Sequence, residues 1–87
     1  MKLIAKAVDA IAVFKGAGKP VPLKFRYYED GGPAVEIKVE RIIFSDEQRI
    51  AGQDSYIYEC QSYIKGSLRR YQLKYVLAKA AWVLYKM

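Results

Sequence analysis

Apolar and polar residues alternate with a period of two along much of this chain, which predicts β-strands rather than helices. The clearest example is residues 21–29, where Val21, Leu23, Phe25 and Tyr27 alternate with Lys24, Arg26 and Tyr28. A turn sequence, Asp30-Gly31-Gly32-Pro33, follows, and residues 34–44 alternate again. Because both segments have one apolar and one polar face, we expect them to pair as antiparallel strands.

A second hairpin is predicted at residues 54–75, where the turn Lys65-Gly66-Ser67 joins two alternating segments. Its inward positions hold large side chains, namely Tyr56, Tyr58, Tyr71, Leu73 and Tyr75. These rings are expected mainly to fill a small core. The alternative is that some of them reach the surface and stack on bases.

Three other segments are harder to assign. Residues 3–14 favour a strand over 7–15, with a short N-terminal helix as the alternative. Ser45-Asp46-Glu47-Gln48 is typical of a capping box and predicts one helical turn near 46–51 that ends at Gly52. Residues 77–80 can turn a corner before a last strand over 81–87, and a helix over 71–85 is the alternative there.

Five or six short strands separated by turns predict an all-β domain that spans residues 1–87. At this length a barrel is favoured over a sandwich, because closure removes exposed sheet edges. We therefore predict a small SH3-like or Sm-like barrel of bent antiparallel strands.

Charge is distributed unevenly along the chain, whose net charge is +6. Residues 1–59 contain nine Lys and Arg against nine Asp and Glu, whereas residues 60–87 contain six Lys and Arg and no acid. A segment of this kind attracts phosphate groups or an acidic protein partner. The simpler alternative is that these cations keep the protein soluble.

Composition argues against most catalytic chemistry. The chain has no histidine and one cysteine, Cys60, so it lacks the usual general base and the ligands for a zinc site. Cys60 is most simply a small buried residue. We predict a protein that is not an enzyme and binds no metal or cofactor. Because a single cysteine cannot form an intrachain disulfide, a cytoplasmic location is expected. Residues 3–14 are too short and too charged to cross a membrane, so no membrane contact is expected.

Cations and aromatic rings interleave at two places, around Lys24-Phe25-Arg26-Tyr27-Tyr28 and around Arg69-Arg70-Tyr71. In a strand, Lys24, Arg26 and Tyr28 share one outer face. Arg70 and Lys74 share another. If the two strands are neighbours, these residues form one basic patch that could bind nucleic acid.

The central hairpin also resembles the WYL-domain pattern. The resemblance rests on Ser55-Tyr56-Ile57, on Gly66, and on Arg69, Tyr71, Leu73 and Val76, and it extends to about residues 21–76. Ile57 and Lys74-Tyr75 depart from the usual pattern. The resemblance implies an Sm-like barrel that senses a nucleotide or nucleic acid, usually in a bacterial regulator. It implies ligand contacts by Arg69, Tyr56 and Arg70, and the lack of a helix-turn-helix favours an accessory module.

The functional hypothesis is a small, non-enzymatic bacterial barrel that binds nucleic acid or a nucleotide. Its predicted binding residues are Lys24, Arg26, Tyr28, Arg69, Arg70 and Lys74. The alternative is a protein-interaction or oligomerisation module that uses Trp82, Tyr85 and an open barrel edge.

Overall fold

A computed structural model describes all 87 residues, Met1–Met87, and contains seven β-strands and one 3₁₀ turn. The elements are β1 (Leu3–Val13), β2 (Val21–Tyr28), β3 (Ala34–Lys38), β4 (Arg41–Ile50), β5 (Gln53–Ile64), β6 (Ser67–Val76), the 3₁₀ turn (Leu77–Lys79) and β7 (Ala81–Lys86). The prediction of an all-β fold is confirmed, although the chain has seven strands and not five or six.

The strands form one antiparallel sheet in the order β3-β2-β1-β7-β6-β5-β4. β3 and β4 are therefore the two edges of the sheet, yet only Val39 and Glu40 connect them. Two residues span only about 10 Å between the strand ends, since a chain extends by at most about 3.6 Å per residue. The sheet must therefore curl into a half-barrel whose two edges meet at this corner.

The side chain of Ser62 on β5 holds that corner in place. Its Oγ donates to the carbonyl oxygen of Lys38 at 2.7 Å and accepts from the backbone N–H of Glu40 at 3.3 Å. It also lies 2.7 Å from the hydroxyl of Tyr71, which donates to it because the single Ser62 proton is already in use. Three groups from three segments thus converge on one buried hydroxyl.

The concave face of the half-barrel carries the core, as the alternation predicted. Nine buried side chains form one cluster: Phe25, Ile37, Tyr58, Cys60, Tyr71, Leu73, Tyr75, Trp82 and Leu84. Tyr56 is partly buried beside it. The Tyr58 hydroxyl donates to the carbonyl oxygen of Pro20, and the Tyr71 hydroxyl bonds Ser62, so both phenols have partners inside the core.

The two ends of the half-barrel differ. At one end the β1–β2 loop covers the core: Phe14 packs edge-on against Tyr75 with ring centroids 5.9 Å apart, and Lys19 lies over Tyr56. At the other end the starts of β1 and β6 meet the ends of β2 and β7, and a cavity opens between them. We call this end the open rim.

The helical turn predicted near residues 46–51 is wrong. This segment belongs to β4, which pairs with β5 continuously from Ser45 to Ile50. Ala51 and Gly52, both with positive φ, form a two-residue hairpin turn instead of a helix end. A single helical turn would have left the backbone of the buried strand β5 without hydrogen bonds on that side, which is costly.

Other strand boundaries also differ from the prediction. The strand expected over 34–44 is broken at Val39 and Glu40 into β3 and β4, because the chain crosses from one edge of the sheet to the other there. The first strand begins at Leu3, and the N-terminal helix alternative is wrong because β1 pairs with both β2 and β7. The helix alternative over 71–85 is wrong as well, since β6 and β7 pair with each other.

Candidate nucleic-acid interface

The two predicted cation clusters lie on different parts of the sheet. Lys24 and Arg26 are on β2, whereas Arg70 and Lys74 are on β6, and the strands β1 and β7 lie between them. The condition for a single basic patch, adjacent strands, is therefore not met. The hypothesis that these residues form one patch is wrong.

The cations on β2 are already neutralised. Lys24 Nζ lies 3.1 Å from Glu36 Oε1, and Arg26 Nε lies 3.1 Å from Asp9 Oδ2. The hydrogen bond to Asp9 raises the pKa of Arg26 further. These pairs follow from the register, which places Arg26 opposite Asp9 on β1 and opposite Glu36 on β3. A cleft of about 280 Å³ beside them includes both carboxylates, so this surface is poorly suited to a phosphate.

Tyr28 and Arg69 belong to the open rim. Tyr28 is exposed at the end of β2, where its carbonyl oxygen accepts a hydrogen bond from Lys6 Nζ at 3.1 Å. Arg69 is opposite Ser62 in the register, on the concave side of β6, and it lines the cavity at the rim. Neither residue adjoins Arg70 and Lys74: β1 and β7 separate Tyr28 from them, and Arg69 lies on the opposite, concave face of β6.

On the convex face of β6 and β7, several cations lie close to one another. Arg70 and Lys74 alternate with buried residues of β6 and project from this face. Lys74 Nζ lies 4.9 Å from the ring centroid of Tyr85 on β7, and Lys86 Nζ lies 5.5 Å from the same centroid. We define these four residues, Arg70, Lys74, Tyr85 and Lys86, as the basic face.

No carboxylate neutralises the cations of the basic face. The four ion pairs of the chain use other cations, namely Lys24, Arg26, Arg49 and Lys65. The acid nearest in register is Glu59 on β5, opposite Gln72. Its side chain is buried and accepts a hydrogen bond from the Gln72 amide at 3.2 Å. The exposed part of this face is therefore positively charged.

Two residues of this face were absent from the predicted nucleic-acid site. Tyr85 was assigned only to the alternative interaction surface, and Lys86 only to the basic C-terminal segment. The contact between Tyr85 and Lys74 depends on the β6–β7 register, which shifts between Gln72 and Leu73. No pattern in the sequence reveals that shift, although the lack of acids after residue 59 pointed to the region.

The alternative hypothesis assigned Trp82 to an interaction surface, but this side chain is buried. It is only 8% exposed and packs between the rings of Tyr58 and Tyr75, at centroid distances of 5.4 and 4.9 Å. A contact surface for a partner protein cannot be built on a side chain that the core already covers. The part of the alternative that rests on Trp82 is therefore wrong.

Cys60 lies at the centre of the core and has no exposed surface. Burial raises the pKa of its thiol to about 12, because the thiolate would lose its hydration there. A neutral, covered thiol is a poor nucleophile. No group of three or more His, Cys, Asp or Glu side chains is positioned to hold a metal ion.

We expect Cys60 in the native protein not to react with an aromatic disulfide reagent at about pH 8. The same reagent in denaturant should label one thiol per chain, because unfolding exposes Cys60 and restores its ordinary pKa. Absorbance of the released thiol measures both reactions. Rapid labelling of the folded protein would contradict the buried position of this side chain.

Comparison with known proteins gives no information on the role of these surfaces. No protein-family model matches the chain, and no curated protein or solved structure is significantly similar to it. No helix in the structure has the length and apolar character needed to span a membrane. The functional interpretation therefore depends on the surfaces described above.

Proposed function

We propose that this protein is a non-enzymatic accessory or regulatory module that binds single-stranded nucleic acid through the basic face. The observation that carries the proposal is a set of three cations without a carboxylate partner: Lys74 and Lys86 lie over one tyrosine ring, and Arg70 lies further along β6 on the same face. Phosphate groups are the natural counterions for such a surface.

Spacing on the strand suits an extended chain of phosphates. Arg70 and Lys74 are four residues apart on β6, which separates their Cα atoms by about 13 Å along the strand. Lys86 is opposite Gln72 and extends the positive surface sideways onto β7. A row of cations along a strand follows a flexible backbone better than a single charge does.

The ring of Tyr85 favours a single strand over a duplex. It is partly exposed on the convex face, beside the ammonium groups of Lys74 and Lys86. Unpaired bases stack on aromatic side chains of this kind while nearby cations contact the phosphates. In a duplex the bases are already stacked on each other, so the tyrosine would contribute little.

An SH3-like or Sm-like barrel type is part of the same proposal, as is the resemblance of the central hairpin to WYL domains. The curled sheet and the positions of Tyr71 and Leu73 in its core are compatible with that resemblance. Of the ligand residues that it implies, Arg70 lies on the basic face, whereas Arg69 lies at the open rim. The basic face is therefore proposed on its own geometry.

Titration of a labelled oligonucleotide by fluorescence anisotropy tests the proposal. Three phosphate contacts on a single strand give a slope of about −2 for log affinity against log salt, which is about 20-fold weaker binding at 200 mM than at 50 mM. A duplex of the same sequence should bind more weakly. No binding at about tens of micromolar protein in low salt would contradict the proposal.

Two double variants with the same change in net charge provide a matched comparison. Arg70→Gln with Lys74→Gln should reduce the salt slope to about −0.7, because one phosphate contact remains. Lys24→Gln with Arg26→Gln should leave the slope near that of the unmodified protein, because both cations are already paired. If both variants lose affinity equally, net charge alone drives binding and the basic face is not the site.

A further inference from the structure

The cavity at the open rim has the properties of a small-molecule site and is separate from the basic face. Its volume is about 300 Å³, and it lies on the concave side of the half-barrel. That volume is at the lower end of the range for ligand pockets, about 300–1,000 Å³. A cavity of this size accommodates a small molecule.

Three cations, Lys2, Lys6 and Arg69, line this cavity, and no Asp or Glu does. The two other cavities of the protein each include acids, Asp9 and Glu36 in one and Glu47 and Asp54 in the other. Positive charges gathered in one concave space without a counter-charge attract an anion. The rim cavity is the one cavity of the three with that imbalance.

The alternation of β1 brings Lys6 to the concave side, together with Val8, Ala10 and Ala12. The β1–β7 register shifts between Leu3 and Lys6, and Ala5 inside this shift has a φ of +50°. A residue with a β-carbon rarely adopts that conformation, and such bulges commonly re-aim side chains beside binding sites. Lys6 follows this bulge and is opposite Leu84, a core residue, although a lysine is an unusual neighbour for the core.

Local contacts hold Lys6 in place. Its Nζ donates to the carbonyl oxygen of Tyr28 at 3.1 Å and lies 5.5 Å from the ring centroid of Tyr27. One of its three N–H groups is used, which leaves two for a ligand. Arg69 takes part in no ion pair or side-chain hydrogen bond, so its whole guanidinium fork is available.

The remaining lining is apolar. Leu84 is 1% exposed and forms the floor, and Ile4 and Met87 complete this side of the cavity. Aliphatic and thioether side chains of this kind pack against flat rings, and methionine adapts readily to their shape. An inorganic anion would leave this apolar lining exposed to water, whereas a ligand with an apolar body would cover it.

We propose that the rim cavity binds a small phosphate monoester with a flat, apolar body. The phosphate contacts Lys2, Lys6 and Arg69, and the body packs on Leu84, Ile4 and Met87. A phosphate monoester carries about −1.5 to −2 charges at neutral pH and offers three acceptor oxygens, which suits three cations better than a carboxylate does. This site does not depend on nucleic-acid binding at the basic face.

Calorimetric titration with phenyl phosphate and with a nucleoside 5′-monophosphate tests the site. The ester that binds more tightly shows which organic group the cavity prefers beside the phosphate. We expect at least one ester to bind at least about tenfold more tightly than inorganic phosphate, and the unphosphorylated nucleoside not to bind. If inorganic phosphate binds as tightly as both esters, the apolar floor contributes nothing and the proposal is wrong. Failure of both esters to bind at millimolar concentration also overturns it.

An arginine outside both proposed sites provides the matched control. Arg69→Gln should weaken binding of the preferred ester by about tenfold or more, because a charge-assisted hydrogen bond is lost. Arg41→Gln makes the same substitution on β4, at an exposed arginine that lines none of the three cavities, and should change affinity less than about twofold. Lys6→Gln gives a second test at the rim, and circular dichroism verifies that each variant folds. Equal losses for Arg69→Gln and Arg41→Gln would refute the site.

Discussion

Leu73→Ala is expected to lower the free energy of unfolding by about 4 kcal/mol. Leu73 has no exposed surface and lies between Tyr58 on β5 and Leu84 on β7. Truncation removes apolar contacts on both sides and leaves a cavity that a curled sheet cannot close easily. A domain of this size has only about 4–13 kcal/mol of stability in total, so a large part of it would be lost.

Denaturant unfolding followed by tryptophan fluorescence measures this effect, since Trp82 is in the same core cluster. Leu68→Ala is the matched control: it makes the same substitution on the same strand at a side chain that is 52% exposed. Its effect should stay within about 0.5 kcal/mol. Similar losses for the two variants would show that β6 does not have the concave and convex faces described here.

Ser62→Ala is expected to cost about 3 kcal/mol, which is large for the removal of one oxygen atom. The substitution leaves the Lys38 carbonyl, the Glu40 N–H and the Tyr71 hydroxyl without their partner. Unpaired polar groups in a buried place each lose hydration without replacement. Because these groups join the two edges of the sheet, the corner of the half-barrel should loosen first.

Hydrogen exchange and chemical denaturation together test this expectation. Ser55→Ala is the control, because Ser55 is also a buried serine on β5 but makes no side-chain hydrogen bond in the structure. Tyr71→Phe combined with Ser62→Ala should cost less than the sum of the two single variants, since it removes both partners of one bond. A loss below about 0.5 kcal/mol for Ser62→Ala would contradict its role at the corner.

Much of the fold could be predicted because burial shows directly in the alternation of side chains. The concave positions of Tyr58, Tyr71 and Leu73 follow from a period of two, and Gly66 with Lys65 marks a tight turn by its chemistry. Residues 45–49 could not be assigned in the same way. A serine followed by acids is compatible with a helix cap or an exposed edge strand, and only pairing with β5 decides between them.

The candidate sites were harder to predict, because local sequence patterns do not determine the order of strands in a sheet. Arg26 and Arg70 look alike in the sequence, yet one faces an acid across the sheet and the other does not. The rim cavity was missed because Lys6 was placed outside the first strand. Its position depends on the alternation of β1 and on pairing of β1 with a strand more than 70 residues later in the chain.

The polar sequence of β4 has a consequence for the behaviour of the protein at high concentration. β4 pairs only with β5, so its other side is an open edge with free backbone groups. Open edges invite strands of other molecules to add to the sheet, and charged side chains along the edge discourage this. Arg41, Asp46, Glu47 and Arg49 supply such charges. Asp46 and Glu47, which belong to the sequence typical of a helix cap, are thus among the charges that discourage aggregation at this edge of the sheet.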